Sequence, residues 1–284
     1  IRDSFYYRSE FCCRWRRDDQ LSYTASLVSL WKMVSVTEND IEKPRWWAQA
    51  ILIGAVIGAV LLVMGGFGTR LGMWSYSGGF TVASGGILLA SAGFFLGVIG
   101  YVVALRKGLK AERSSILIAL VICTILLVQV GMQMNALASV PAIHNISTDT
   151  QDPPAFDALV AVRKAAGANP LAYDASVLAE LQQQAYPWVR TLELPTNPGI
   201  LLNEAVTVLE DMGLAVVNVS AEQGIIEATA TTFWFGFKDD VVIRVRASAV
   251  GGSVIDVRSV SRSGRSDLGV NAKRIGAILQ RLRG

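Results

Sequence analysis

Arginine and aspartate side chains are concentrated in the stretch 225–274, where they alternate with apolar residues and small turn residues. The planar guanidinium group of arginine donates parallel hydrogen bonds to phosphate or carboxylate oxygens, so a group of arginines can bind an anion or a lipid headgroup. The sequence therefore predicts a candidate anion- or ligand-binding site. Its residues are Arg244, Arg258, Arg262 and Arg274.

Two other interpretations of these charges stay open. In the first, Arg244 and Arg246 pair with Asp256 across neighbouring strands, which gives a charge-paired sheet face without a ligand. In the second, Asp239 and Asp240 act together as a carboxylate pair in hydrolysis. Adjacent residues of a strand point to opposite faces, so the second interpretation requires a turn that reorients one of them.

The residue counts limit the chemistry further. The 284 residues contain one histidine, His144, and three cysteines, all in the N-terminal half. A histidine-based triad, a multi-histidine metal site and a thiolate metal site in the C-terminal half are therefore excluded in this chain. The net charge of +3 is too small to indicate a nucleic-acid partner. We predict no catalytic residue, no metal and no cofactor; enzymatic activity stays open, although the residues favour a non-catalytic role.

The charged stretch needs a sheet to position it. Period-two alternation predicts strands over 214–219, 225–235, 241–246 and 254–260. Apolar periodicity predicts helices over 155–165, 176–186, 200–212 and 270–282, with Asp267 as the N-cap of the last one. The predicted fold of the C-terminal half is an α+β domain with a four-stranded antiparallel sheet flanked by helices, one sheet face being core and the other polar.

The N-terminal half is too apolar for a soluble domain. The mean hydropathy of the chain is +0.41 and only 17% of its residues are charged, against about 25% in typical globular proteins. Uncharged apolar runs cover 48–67, 80–105 and 115–137. Each run is close to the ~20 residues that an α-helix needs to cross a bilayer. We therefore predict an α-helical membrane segment of three transmembrane helices.

Basic residues predict the orientation of these helices. They are concentrated in the second connector, 106–113, and just before the first helix at Lys43 and Arg45, whereas the first connector carries only Arg70. By the positive-inside rule, the N-terminus is cytoplasmic and the C-terminal half lies on the other face, the periplasmic side of a bacterial inner membrane or a lumenal side.

The predicted domain organisation has four parts. These are a cytoplasmic N-terminal tail over 1–46, a three-helix transmembrane region over 47–137, a linker over 138–155 and the α+β domain over 156–284. Within the tail, residues 27–34 could form a short amphipathic helix, and Cys12-Cys13 is either a palmitoylation site or part of an ordinary cytosolic tail.

Small and amide residues in the apolar runs predict close helix packing. The residues concerned are Gly54, Gly58, Gly93, Gly97, Gln129 and Gln133. Glycines four residues apart let helix backbones approach closely, and amides in lipid bond across helices. These contacts either join the three helices to one another or join them to another membrane protein, so the predicted partners are membrane lipids and other membrane-protein subunits.

Three segments carry a resemblance to a known family. They are ISTDTQDPPAF at 146–156, FWFGFKDDVVIRVRA at 233–247 and VIDVRSVSRSGRSDLGVNAKRI at 254–275. The C-terminal half resembles the domain of unknown function 1499 over about 144–284. The resemblance implies a folded domain but no chemistry. Polar residues of this chain that match the family motif include Asp239, Asp240, Asp267 and Asn271, besides the four candidate arginines.

Two functions are compatible with these observations. The first is an integral membrane protein without a catalytic site, serving as an accessory or structural subunit of a larger membrane complex. In that case Phe233, Phe235 and Phe237 form either a contact patch or part of the domain core. The alternative is a membrane-proximal lipid- or anion-binding module that uses the arginine-rich sheet face.

Overall fold

A computed structural model describes residues 43–284. The helix predicted over 27–34 and the candidate palmitoylation site Cys12-Cys13 lie outside the described residues. The described residues start with three long apolar helices, α1 (Trp46–Arg70), α2 (Tyr76–Arg106) and α3 (Lys110–Ser139). Each is long enough and, at a mean hydropathy of 2.3 to 2.6, apolar enough to cross a membrane, which confirms the three predicted apolar helices.

Glycine contacts hold the three helices together. A Cβ atom at Gly58 would lie 3.1 Å from the carbonyl oxygen of Gly86, so the backbones of α1 and α2 meet there. At Gly93 and Gly97 of α2, a Cβ atom would contact the side chains of Cys123 and Leu120 of α3. Three of the four predicted packing glycines therefore pack between the helices of this chain, whereas a Cβ at the fourth, Gly54, would meet nothing within 4 Å.

The two predicted packing amides do not join the described helices of this chain to one another. Gln129 and Gln133 are exposed on α3, which corrects the prediction as far as this bundle is concerned. The cause is the position of the contact: α3 packs through Ile116, Ala119 and Cys123 in its first half. Gln129 lies about 28 Å from Lys110 along the helix axis, beyond that contact.

An antiparallel sheet follows the helices. Its strands are β1 (Asn145–Ser147), β2 (Leu192–Leu194), β3 (Ala215–Ser220), β4 (Ile225–Thr231), β5 (Lys238–Ala247) and β6 (Ser253–Ser261). The order is β1-β6-β5-β4-β3, and β2 pairs with the same edge of β6 as β1 does. The central four strands agree with the predicted sheet, but the described part of the sheet has six strands rather than four.

The two missed strands are short. Each has three residues, too few for an alternating pattern, and each lies in a proline-containing stretch that favoured an irregular chain. β1 lies inside the stretch predicted as a linker, where the carbonyl of His144 also accepts the amide of Ser261. β1 and β2 both pair with one edge of β6, and β5 pairs with the other. The charged residues of β6 therefore have a neighbouring strand on each side.

Helices cover both faces of the sheet. The helices of this half are α4 (Ala158–Ala165), α5 (Ala175–Ala185), α6 (Pro198–Asp211) and α7 (Val270–Arg283). On the face here called the α7 face, α6 and α7 pack on Ile226, Ile243 and Ile255 and form the main core. On the opposite face, here called the α4 face, a smaller cluster joins Phe156 and Leu159 to Val242 and Val260.

One face of the sheet is the apolar core and the other carries the charged residues, as predicted, and that charged face is covered. Glu227, Asp240 and Asp256 point to the α4 face and are fully buried. They are buried because α4 and the segment before it lie over that face. The charges of the predicted polar face are therefore inside the domain.

A turn of aromatic residues connects the sheet to the membrane helices. Residues 232–237, here called the aromatic turn, join β4 to β5. The Phe233 ring lies edge-on to Phe67 of α1 at 5.6 Å between centroids, and the Phe235 ring stacks on Phe80 of α2 at 5.0 Å. Arg70 donates hydrogen bonds of 2.8 Å to the carbonyls of Thr232 and Phe233. The predicted contact patch therefore contacts the helices of the same chain.

Candidate functional site

The two adjacent aspartates of β5 point to opposite faces. Asp240 lies on the α4 face and bonds Arg163 and Arg262, whereas Asp239 lies on the α7 face and bonds Arg274. This follows from the alternation of side chains along a strand. Their carboxylates therefore do not form the pair that hydrolysis would require.

The Asp240 carboxylate is saturated with donors. Its two oxygens accept from Arg163 at 2.6 Å, from two nitrogens of Arg262 at 2.8 Å each, and from the Thr229 hydroxyl at 2.7 Å. Burial acts to raise the pKa of Asp240, but the hydrogen bonds from Arg262, Thr229 and Arg163 outweigh it and hold that pKa below its ordinary value. Asp240 is therefore an ionised structural centre with no free lone pair for a proton transfer.

A second ion-pair group lies at the other end of the same face. Arg244 of β5 is directly opposite Asp256 of β6, and its guanidinium lies 3.2 Å from that carboxylate. Arg246 reaches the same carboxylate at 2.7 Å, and Asp149 and Asp152 contact both arginines from the segment after β1. The predicted cross-strand ion pairing of Arg244 and Arg246 with Asp256 is confirmed.

Arg258 is buried among neutral partners. Its guanidinium donates to the Asn145 side-chain oxygen at 3.1 Å and to the carbonyls of Pro154 and Leu171. The rings of Phe156 and Tyr173 lie 5.6 and 5.8 Å from its central carbon. Burial lowers the pKa of Arg258 to about 10, so the group stays charged at neutral pH, and burial raises the pKa of Tyr173 to about 12.

The last candidate arginine lies on the other side of the sheet. Arg274 of α7 donates to Asp239 at 2.7 Å and to the hydroxyl of Ser259 at 3.0 Å, and Asn271 links Ser259 to Ser261. The structure therefore places Arg244, Arg258 and Arg262 on the α4 face and Arg274 on the α7 face. Each guanidinium has partners within the domain, so an anion site here would have to exchange those bonds for ligand oxygens.

Asp267 caps the start of α7 as predicted, although the helix formally begins after Gly269. Its carboxylate accepts the amides of Gly269 at 2.9 Å and Asn271 at 2.8 Å. Burial raises the pKa of Asp267, and the nearby charge of Asp239 acts in the same direction. The two amide bonds act against this shift without cancelling it.

The comparison with known families agrees with this half of the chain. Residues 145–282 match the family described as Protein of unknown function (DUF1499). This matched half of the chain is here called the DUF1499 domain. No curated protein matches the chain. The match begins at β1 and ends within α7, so it includes both edge strands and all the charged clusters described above.

Three buried polar residues of the DUF1499 domain were missed from the sequence. The Glu227 carboxylate accepts the amides of Asp157 and Leu159 and so caps the start of α4. Arg163 of α4 bonds Asp240, and Gln182 of α5 bonds both the amide and the carbonyl of Ser147. Glu227 carried a usable signal, because it interrupts an otherwise uncharged strand, IIEATAT. Arg163 and Gln182 carried none, because polar residues on short helices are ordinary.

Outside the DUF1499 domain, the membrane helices contain a second candidate surface. A groove of about 550 Å³ opens between α1 and α2 at the end that carries Trp46. The residues lining it are apolar, and several are small; these include Ala50, Gly54, Ala92, Gly93 and Gly100. Gly54, the predicted packing glycine that has no neighbour within the described residues, therefore faces the groove.

Proposed function

We propose that this protein is a non-catalytic accessory or structural subunit of a larger membrane complex. In this proposal, a transmembrane helix of another subunit lies in the groove between α1 and α2. The observation that carries the proposal is the open space at Gly54, since a Cβ there would meet nothing within 4 Å. Glycine within a helix is less favourable than alanine by about 1 kcal/mol. This glycine has no packing partner among residues 43–284, so we infer that it admits a helix of another subunit.

A helix fits the groove better than a lipid chain does. Small residues line both sides of the groove, Ala50 and Gly54 on α1 and Ala92 on α2, among larger apolar residues such as Leu89 and Leu96. Rows of small residues let two helix backbones approach and form close packing contacts. A flexible acyl chain has no need of such a row. We therefore commit to a protein helix as the occupant.

The charge distribution supports an orientation for the complex. Arg45 at the start of α1 pairs with Glu112 of α3 at 3.4 Å, so the basic 106–113 connector and the basic residues before α1 lie at one end of the bundle. The aromatic turn and Arg70 lie at the other end. By the positive-inside rule, we propose a cytoplasmic basic end and a DUF1499 domain on the periplasmic or lumenal face of the membrane, the inner membrane if the cell is bacterial.

Filling the groove tests the proposal. We expect the tagged full-length chain, purified in a mild detergent, to carry stoichiometric membrane-protein partners, and Gly54→Leu to lose them. Gly85→Leu is the matched control, because a Cβ at Gly85 also meets nothing within 4 Å but Gly85 does not line the groove. Blue-native electrophoresis and quantitative mass spectrometry measure the partner ratio.

Three outcomes would contradict the proposal. One is recovery of the wild-type chain as a lone monomer in every mild detergent. Another is retention of the partners by Gly54→Leu. The third is native mass spectrometry that finds a phospholipid, and no protein, bound to the wild type and absent from Gly54→Leu, which would make the groove a lipid site.

A further inference from the structure

The aromatic turn exposes large apolar rings beside the membrane helices. Phe233 is 72% exposed and Trp234 is 37% exposed, although both rings contact Phe67 of α1. Isolated exposed apolar residues are ordinary on a soluble surface. Here the two rings are adjacent and continue the apolar surface of α1, whose side chains Val63 and Met64 are also exposed. The turn therefore extends the lipid-facing surface of the helices.

The depth of these rings can be estimated from α1. Phe67 follows Trp46 by 21 residues, which corresponds to about 32 Å along an α-helix, close to the ~30 Å thickness of the hydrocarbon core. Trp46 and Trp47 are typical of residues that anchor a helix at one membrane interface. Phe67 then lies at the opposite boundary of the hydrocarbon, and the Phe233 ring lies 5.6 Å from it between centroids.

Polar and aromatic residues around the turn are those typical of an interface. Arg70 at the end of α1 combines hydrogen bonds to the turn with a position 5.8 Å from the Phe233 ring. Trp74 and Tyr76 lie in the connector and at the start of α2, at the same end of the bundle. Belts of tryptophan and tyrosine mark the headgroup level of membrane proteins.

The turn is fixed against the helices, so its rings cannot retract. A Cβ at Gly66 would lie 2.2 Å from the Trp234 ring, and a Cβ at Gly236, where φ is +68°, would lie 3.0 Å from the Arg70 backbone. The Phe235 ring packs against both Phe80 of α2 and Phe237 of the turn. Close packing on one side leaves the exposed side of Phe233 and Trp234 facing the surroundings of α1.

We propose that the aromatic turn is a membrane-interface anchor: Phe233 and Trp234 insert into the headgroup–hydrocarbon boundary of the leaflet at the end of α1. The partner is the phospholipid surface itself. The anchor fixes one end of the sheet at the membrane, with β5 starting directly after the turn at Lys238. This inference is independent of the groove, since it concerns the opposite end of the bundle.

Spin labelling measures the depth directly. Phe233→Cys is prepared in the full chain with its native cysteines replaced, labelled with a nitroxide and reconstituted in vesicles of phosphatidylethanolamine and phosphatidylglycerol. Ile57→Cys, at an exposed position within α1, is the lipid reference. Val250→Cys is the water reference: Val250 is 89% exposed in the β5–β6 turn, about 30 Å from the aromatic turn along β5.

We compare the rate of collisions with oxygen to the rate of collisions with a water-soluble nickel complex. We expect this oxygen-to-nickel ratio to be several-fold higher for the label at position 233 than for the label at position 250. The same oxygen-to-nickel ratio at both positions would overturn the proposal. Should the cysteine variant not reconstitute, Phe233→Trp in the otherwise native chain replaces it. Phospholipids brominated near the glycerol should quench the added fluorescence of that variant, and unquenched added fluorescence would overturn the proposal equally.

Discussion

Asp240 and Asp267 lie on opposite faces of one sheet, and their environments shift the two pKa values in opposite directions. Asp240 is fully buried, yet two guanidinium groups hold its pKa below the ordinary value. Asp267 receives only backbone amides, because the nearby Arg274 is bonded to Asp239, and burial raises its pKa. The supply of guanidinium groups, rather than the depth of burial, therefore decides which carboxylate is stabilised as an anion.

We expect the ion pairs of the α4 face to contribute more to the free energy of unfolding than those of the α7 face. Asp240→Asn keeps the shape but removes the carboxylate that Arg163 and Arg262 both bond, so one buried and one partly buried guanidinium are left together without a countercharge. Breaking a buried ion pair in this way costs about 3–5 kcal/mol. Chemical unfolding of the detergent-solubilised full chain, followed by near-ultraviolet circular dichroism, measures the loss. Asp152→Asn is the control, because that carboxylate is 71% exposed and we expect less than about 1 kcal/mol.

The same variant gives a pH signature. The folded pKa of Asp240 is lower than its ordinary value of 3.8, so the unfolded chain binds this proton first as the pH falls. The stability difference between wild type and Asp240→Asn should therefore be constant above pH 3.8 and decrease below it, as the pH passes through the folded pKa. If the stability difference between wild type and Asp240→Asn already disappeared near neutral pH, that result would contradict the comparison of Asp240 with Asp267.

On the same face, we expect the removal of Arg258 to cost less stability than the removal of the Asp240 charge. Arg258→Met removes a cation whose hydrogen-bond acceptors are all neutral oxygens, so no opposite charge is left behind. Unpaired neutral acceptors cost about 1–3 kcal/mol, less than a stranded charge. We expect Arg258→Lys to restore little, because an ammonium group cannot bond three acceptors in one plane and stack on rings. The same unfolding experiment measures both variants.

The opposite order of the two stability losses would change the interpretation of the α4 face. If Arg258→Met lost more stability than Asp240→Asn, Arg258 would have to interact with a charge that the domain does not supply. That outcome would favour the alternative anion- or lipid-binding module over the charge-paired face.

The sequence predicted those features that local patterns determine. The three membrane helices follow from uncharged runs whose length the bilayer fixes. The pairing of Arg244 with Asp256 follows from alternation in two neighbouring strands joined by a short turn. In each case, the residues that decide the structure are close together in the sequence or share one repeating pattern.

The remainder depends on contacts between distant residues. Arg163 and Asp240 are 77 positions apart, and Arg70 and Thr232 are 162 apart. No pattern within α4 shows that this short helix covers the charged face, so its cover was not predicted and Glu227 was missed. Likewise, the alternatives for the phenylalanines of the aromatic turn were a partner or the domain core, because nothing local links them to Phe67 and Phe80.

The smallest effect is expected on the α7 face, at Asp267→Asn. Asparagine caps a helix about as well as aspartate does, so we expect a change in stability below about 1 kcal/mol at neutral pH. The change in stability with pH has the opposite sign at Asp267 to that at Asp240. Because the folded pKa of Asp267 is raised above 3.8, the unfolded chain loses this proton first, and the wild type loses stability as the pH rises from 3.8 through the folded pKa. The asparagine variant lacks that titration, so its thermal midpoint should improve relative to wild type over the same interval. A loss as large as that of Asp240→Asn would mean that the ionised Asp267 carboxylate is stabilised by Arg274, and the two faces would then not differ.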